Sequence, residues 1–420
     1  MSGRPGTGAS EAVGSRDVVI TPTPGGVTAP AGFRSAALHC GIKAKTKALD
    51  LAIIAADAPV ASAGIFTTNL VQAAPVRLSR SHLDGSGGMA RAIVVNSGCA
   101  NACTGARGER DALRMTEETA AALACAPEHV LVASTGVIGV ALDMGKVAAG
   151  IRTASAALTR DRGSETARAI MTTDPFPKEH AVTVHTERGH FTVGGTAKGS
   201  GMIEPMMATM LGFLTTDAQV SPALLHRALV ASARDTFNAI TVDGECSTND
   251  ALFVMASGAS GTTIGENEYP ALRDAMLAVS KELALGIVRG GEGATKLVHV
   301  CVSDAPTIDA ARRVARTIAN SLLVKTAIHG ADPNWGRIVA AAGRSGVPFD
   351  VSQATVRIGD VLLFERGMPR DDASPLAAQH LREAEILLEI NLGTGGRGTA
   401  TIWTCDLSAE YVRINGEYRT

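Results

Sequence analysis

Short apolar runs alternate along the chain with longer stretches of helical spacing. "LDLAIIAAD" (Leu49–Asp57), "RAIVVNSG" (Arg91–Gly98) and "HVLVAST" (His129–Thr135) are brief, rich in β-formers and end in Gly, Ser, Thr or Asp, the pattern of buried strands. Between the last two, "ERDALRMTEETAAALACA" repeats Leu, Met and Ala on one face and predicts an amphipathic helix. "AVTVHTERGHFTVGGTAKGSG" reads as two alternating strands turned at Glu187–Gly189. "SPALLHRALVASARDTF" opens with a capping serine and Pro222 at the first helical position. "ALFVMASGAS" is a further strand, and "ENEYPALRDAMLAVSKELALGIVRGG" a long helix closed by glycines. Beyond Gly290 the order becomes strand "KLVHVCVSD", helix "TIDAARRVARTIANSLLVKTAI", and strand pairs around "VRIGDVLLF" and "ATIWTCDL". An α/β or α+β protein is predicted, with sheets covered by helices. Its expected parts are a disordered tail over 1–22, a catalytic domain over 23–289 and a smaller α/β domain over 290–420.

Composition narrows the function. The 420 residues are 45% hydrophobic and 19% charged, with a net charge of −2. That balance leaves no electrostatic footprint for nucleic acid, and an aromatic content of 3% supplies no base-stacking platform. No run reaches the ~18 apolar residues of a membrane span. The start lacks the apolar centre of a secretory signal and carries Glu11 and Asp17. Seven scattered cysteines form no disulfide framework, so a reducing cytoplasm is the expected location. No metal-ligand cluster stands out. Cys99 and Cys103 in "CANAC" would need two more ligands that the neighbourhood does not supply. There is no Walker loop and no G-x-S-x-G elbow.

Three segments are costly for a purely structural protein. In "ASTGVIG" (Ala133–Gly139) a strand ends in Ser134, Thr135 and Gly136, where backbone N–H groups can face a cavity; a plain turn is the alternative. "IMTTDPFPK" (Ile170–Lys178) sets paired threonines beside Asp174, a combination that also caps ordinary turns. "KGSGMIEPMMATML" (Lys198–Leu211) places a lysine on a glycine-rich approach to Thr209. A threonine hydroxyl without a nearby histidine can be activated by its own α-amino group once the preceding bond is cut. With a reference pKa of 7.7–8.0, about a third of such amines are neutral near pH 7.5, against roughly 0.1% of ordinary lysines. Core packing is the competing explanation for any single threonine at the head of a strand.

Together with "NSGCANACTG", "GEGATK", "HGADPNWGR" and the terminal "YVRINGEYRT", these segments resemble the glutamate N-acetyltransferase family, also called ornithine acetyltransferase, from about Gly25 to Thr420. The resemblance implies a four-layer αββα sandwich, as in self-cleaving aminopeptidases of the DmpA type, with a second smaller α/β domain closing over the site. It implies cleavage between Ala208 and Thr209, with Thr209 then acting as nucleophile and α-amino base. Thr135 and Gly136 match the oxyanion hole. Thr172, Lys198, Thr209, Glu292, Asn415 and Thr420 match the substrate contacts. The implied reaction moves acetyl from N2-acetyl-L-ornithine to L-glutamate through an acetyl-Thr209 intermediate. No cofactor is implied beyond acetyl-CoA as a second acetyl donor. The implied partners are the two cleavage chains, assembled as α2β2 or higher. Glu204 and Met206 stand where many relatives carry a small residue and asparagine, and Arg289 where an acidic residue is frequent. A self-cleaving amidohydrolase or aminopeptidase, passing the acyl group to water, is the alternative.

Overall fold

The structure, a computed structural model, describes residues 18–44, 47–204 and 210–417. Its strands are β1 Val19–Thr23, β2 Phe33–Leu38, β3 Leu51–Phe66, β4 Met89–Cys99, β5 Val130–Val137, β6 Lys178–Thr186, β7 Gly189–Lys198, β8 Leu211–Thr216 and β9 Ala251–Ala256. After them come β10 Leu297–Ala305, β11 Thr355–Ile358, β12 Val361–Glu365, β13 Met368–Pro369, β14 Glu385–Asn391 and β15 Gly398–Cys405. The first nine pair in the order β1-β6-β7-β8-β9-β3-β4-β5, with β2 beside β3. The rest form a six-stranded sheet, β13-β12-β11-β14-β10-β15.

The layers follow from what each side of β3 buries. In its first half Leu51, Ile53 and Ala55 pack outward with Met115, Val147 and Ile151 of helices Gly105–Leu123 and Met144–Ala156. Ala52 and Ile54 point inward, among Ile93, Leu131, Phe213 and Phe253. In the second half Ala63 and Ile65 face Leu225 and Leu272 of helices Pro222–Arg234 and Tyr269–Arg289, while Phe66 joins the inner core. The inner faces of two half-sheets therefore share one core, and helices cover both outer faces. This is the four-layer αββα sandwich, with β3 belonging to both sheets.

The strand read as ending at Asp57 runs on to Phe66. Asp57 and Pro59 look like a terminus in sequence, but they mark an irregularity in the pairing with β4, between Ala55 and Val60. The expected tail over 1–22 needs a similar correction at its end. Val19–Thr23 is an edge strand antiparallel to β6, a position that tolerates Pro22. The single helix expected at "TIDAARRVARTIANSLLVKTAI" is two, Ile308–Ala319 and Leu322–His329. The break falls at Ser321, whose hydroxyl caps the second by accepting from Val324 N.

β8 and β9 are buried throughout and parallel, as near-continuous apolar runs allow. Phe213 and Phe253 stack across them with ring centroids 6.0 Å apart. β7 pairs antiparallel with β8 from Val193–Thr216 to Lys198–Leu211, so both ends of the Lys198–Leu211 connection sit at one place in the sheet. The six-stranded sheet and helix Ile308–Ala319 share a hydrophobic core with helix Tyr269–Arg289. Among the described residues no helix is long and apolar enough to cross a membrane.

Candidate active site

The site lies where β4, β5 and β7 end and β8 begins. β4 and β5 run parallel until Cys99, which pairs with both Thr135 and Val137. Gly136 makes this bulge possible. Its φ is +127°, and a Cβ there would lie 2.3 Å from the Gly98 carbonyl carbon and 2.6 Å from Cys99 N. Side-chain amides fix the surroundings. Asn96 Nδ2 donates to Cys99 O (2.8 Å), and its Oδ1 accepts from Ser134 Oγ (2.6 Å). Asn249 Nδ2 donates to Ala100 O (2.6 Å) and Ser134 O (2.8 Å). The turn at "ASTGVIG" is thus a braced bulge on a cavity wall, more than a simple strand end.

Asp174 organises the Thr172 loop in two ways. It caps the turn expected from sequence, accepting from Thr172 N at 3.0 Å. It also accepts from Gly199 N (2.8 Å) and Lys178 Nζ (2.6 Å), which ties this loop to the residue after Lys198. Burial works against the carboxylate, but the charges of Lys178 and Lys198 and these hydrogen bonds outweigh it and hold its pKa at about 2. Burial also pulls the Lys178 ammonium down in spite of its partner, so the two shifts do not mirror each other. The depressed carboxyl is the firmer direction, because amides as well as ammonium groups favour its charged form. Behind the loop Lys43 Nζ donates to Leu49 O and Met171 O, each at 2.8 Å. Burial lowers the pKa of Lys43 to about 8, against the pull of Asp50 and Asp174.

Lys198 closes β7, is 9% exposed, and donates from Nζ to Thr135 Oγ1 at 3.2 Å. The glycines that follow leave room for close contacts. A Cβ on Gly201 would lie 2.3 Å from Glu292 Oε2. Glu292 N donates to Ser200 O (2.9 Å), and Ser200 Oγ to Gly290 O (2.7 Å). Met202 N and Ile203 N both donate to Asp243, at 2.7 and 2.8 Å. The C-terminal helix Ala409–Glu417 lies against this side. Its Asn415 Nδ2 donates to Glu292 Oε2 (2.7 Å) and its Tyr411 hydroxyl to Asp243 Oδ2 (3.2 Å). Burial, reinforced by Asp243, pushes the Tyr411 phenol up.

One cavity of about 140 Å³ collects Thr135, Gly136, Thr172, Lys198, Glu292 and Asn415. At about 30 Å³ for each water's share of liquid volume it would hold roughly five. Met210, the residue after Thr209, is part of its wall. Ala208, Thr209 and Thr420 lie outside the described residues. Lys198 and the Thr135 hydroxyl line it together with the carboxylates of Glu292, Asp243 and Asp250, so it offers charges of both signs to a ligand. Asp243, Asp250 and Tyr411 also line the cavity and were not singled out from sequence. Asp250 is buried at the head of β9, and among the described residues its Oδ2 makes no hydrogen bond. Burial raises its carboxyl well above the ordinary range, against Ser247 and Lys198. The polar run "DGECSTND" before a wholly apolar strand is the signal that could have revealed these acids.

The family model of ArgJ matches residues 34–420. The chain belongs to the ArgJ family. Over 400 residues it is 48% identical to the arginine biosynthesis bifunctional protein ArgJ of Dehalococcoides mccartyi, covering 94% of this chain and 98% of that one. The protein of the same name from Symbiobacterium thermophilum is 49% identical over 400 residues, covering 94% and 99%. Among solved structures, the ornithine acetyltransferase of Mycobacterium tuberculosis, complexed with ornithine, is 42% identical over 46% of this chain and 100% of that chain, with a TM-score of 0.42. Membership in the ArgJ family makes this chain an enzyme, an acetyltransferase.

Proposed function

We propose that the chain cuts itself between Ala208 and Thr209 and then transfers acetyl from N2-acetyl-L-ornithine to L-glutamate in arginine biosynthesis. One observation carries the reading. Six positions implied by the resemblance, scattered from Thr135 to Asn415, meet in a single cavity bordered by Met210.

In the cut, Thr209 Oγ attacks the Ala208 carbonyl carbon. The C–N bond breaks, the nitrogen leaves as the α-amine of Thr209, and water hydrolyses the resulting ester. In transfer, the neutral amine takes the hydroxyl proton as Oγ attacks the acetyl carbonyl. Donors at Thr135 and Gly136 would hold the oxyanion, each typically worth about 2.7–4 kcal/mol. The proton passes to the departing ornithine amine. Glutamate enters with its amine neutral, takes the acetyl group and returns the proton to Thr209. One amide is exchanged for another, so the step calls for neither ATP nor a metal. Lys198 would pair with the α-carboxylate of each amino acid, and Glu292 with the side-chain ammonium of acetylornithine.

Thr420 would complete the substrate contacts, and the domain over 290–420 would close the site through Asn415. The relatives' description as bifunctional supports acetyl-CoA as a second donor. Pairing of β7 with β8 across the cut supports an αβ unit that stays together. The unit would assemble to α2β2 or higher in the cytoplasm.

Intact mass and N-terminal sequencing under denaturing conditions test the reading. Two pieces are expected, one beginning Thr-Met-Leu-Gly, with acetyl exchange between ornithine and glutamate. Thr209→Ala should remain whole and inactive, and Thr209→Ser should keep part of both functions. A Thr209→Ala protein with normal turnover would sink the mechanism. Acetate released from acetylornithine without glutamate would favour the hydrolase.

A further inference from the structure

The segment Met202–Glu204 is already fixed through its backbone. Besides the two bonds to Asp243, Val242 N donates to Ile203 O and Glu204 N to Glu245 O, both at 2.7 Å. The carboxylate of Glu204 is not needed to place this chain, yet it is 9% exposed and surrounded. Thr241 Oγ1 lies 3.2 Å from its Oε2, Asn320 Nδ2 donates to the same oxygen, and Arg316 Nη1 stands 3.6 Å from Oε1. Arg316 and Asn320 lie one turn apart on helix Ile308–Ala319 and its C-cap, which packs on the six-stranded sheet. Arg316 is held from the other side by donating through Nη2 to Asn238 O at 2.6 Å.

Burying such a pair costs much of what its attraction returns, so stability is a weak reason for it. Its place in the chain gives a better one. Glu204 lies four residues before Ala208. On the other side of the cut, Met210 is buried and accepts from Ala251 N at 3.0 Å. The bond to be cut therefore lies between two held points in the sequence, and of these bonds only those from Glu204 to Asn320 and Arg316 reach beyond Gly290.

We propose that Glu204 is a positioning residue for self-cleavage, tying the chain ahead of Ala208–Thr209 to Arg316 and Asn320 so that cutting awaits docking of the part of the chain beyond Gly290 that carries them. The inference rests on the self-cleaving reading above. After the cut Glu204 belongs to the α chain and Thr209 to the β chain, so the tie serves the cleavage and not the acetyl transfer.

Full-length wild type, Glu204→Ala, Glu204→Gln and Arg316→Met chains, made by cell-free synthesis, would be followed by mass as one chain becomes two. Acetyl exchange would then be measured per cut chain. Glu204→Ala and Arg316→Met should cut at least about tenfold more slowly, about 1.4 kcal/mol in barrier. Glu204→Gln should fall between them and wild type. Once cut, each should show kcat and KM within about twofold of wild type, a split that general loosening of the fold would not give. Wild-type cutting rates in Glu204→Ala and Arg316→Met, or parallel loss of cutting and of turnover per cut chain, overturn the proposal alone. If Glu204→Ala does not fold, Glu204→Gln and Arg316→Met decide by the same criteria. A wild-type chain that stays whole overturns the proposed function and this inference with it.

Discussion

Lys198 Nζ stands 3.2 Å from Thr135 Oγ1, which joins the end of β7 to the bulged end of β5. The residue proposed to grip a carboxylate thus touches one proposed to cradle an oxyanion. Lys198→Met should raise KM for both acetylornithine and glutamate by about 10–100-fold, the range of a lost charged hydrogen bond. Steady-state kinetics with each substrate varied would check it. An effect on one substrate only would argue that Lys198 does not serve a group the two share.

Gly136→Ala forces a Cβ onto the Gly98–Cys99 peptide at a φ of +127°. The backbone must shift by more than a flexible side chain would require. We expect kcat to fall about 10²–10³-fold, as for loss of one oxyanion donor, with little change in KM. Normal kcat in a folded variant would remove Gly136 from the oxyanion role.

Asp174→Asn leaves the Lys178 ammonium buried beside a neutral amide. The expected loss is about 3–5 kcal/mol in urea unfolding at pH 7. The carboxyl of Asp174 titrates at about 2 in the folded protein against an ordinary 3.8. Its stabilising contribution is therefore complete above about pH 5 and disappears as the pH falls through 4 toward 2. Wild type and Asp174→Asn should converge in stability over that interval, and parallel curves would contradict the assignment.

Glu292 should divide the substrates. It is held by Asn415, and Gly201 leaves it space. Glu292→Gln should raise KM for acetylornithine about tenfold or more while leaving that for glutamate within about threefold, because only the former offers a side-chain ammonium. Equal changes would mean that the carboxylate does something other than recognise that charge.

The sequence carried some of this plainly and concealed the rest for physical reasons. Helices Pro222–Arg234 and Tyr269–Arg289, and the β6–β7 pair, follow directly from spacing, caps and turn residues. β3 was read short because Asp57 and Pro59 mimic an end when they only bend the strand. The αββα layering rests on which faces of that bent strand meet, a long-range fact that periodicity does not encode. Thr135, Gly136, Thr172, Lys198, Glu292 and Asn415 were reached through the resemblance; spacing alone left each with an ordinary explanation. Asp174 was legible as a turn cap, but its bonds to Lys178 and Gly199 were not. Asp243 and Tyr411 are 168 residues apart and meet only in the fold.

The antiparallel ladder from Val193–Thr216 to Lys198–Leu211 spans the proposed cut. Each strand stays bonded to its neighbour whether or not the connection between them is continuous. A nick there would remove a covalent link without opening an edge in the sheet, and the proposed cut would make the molecule in effect a natural split protein. Separately made halves would present β7 and β8 as complementary open edges, and would have to find one another before either could bury its apolar faces.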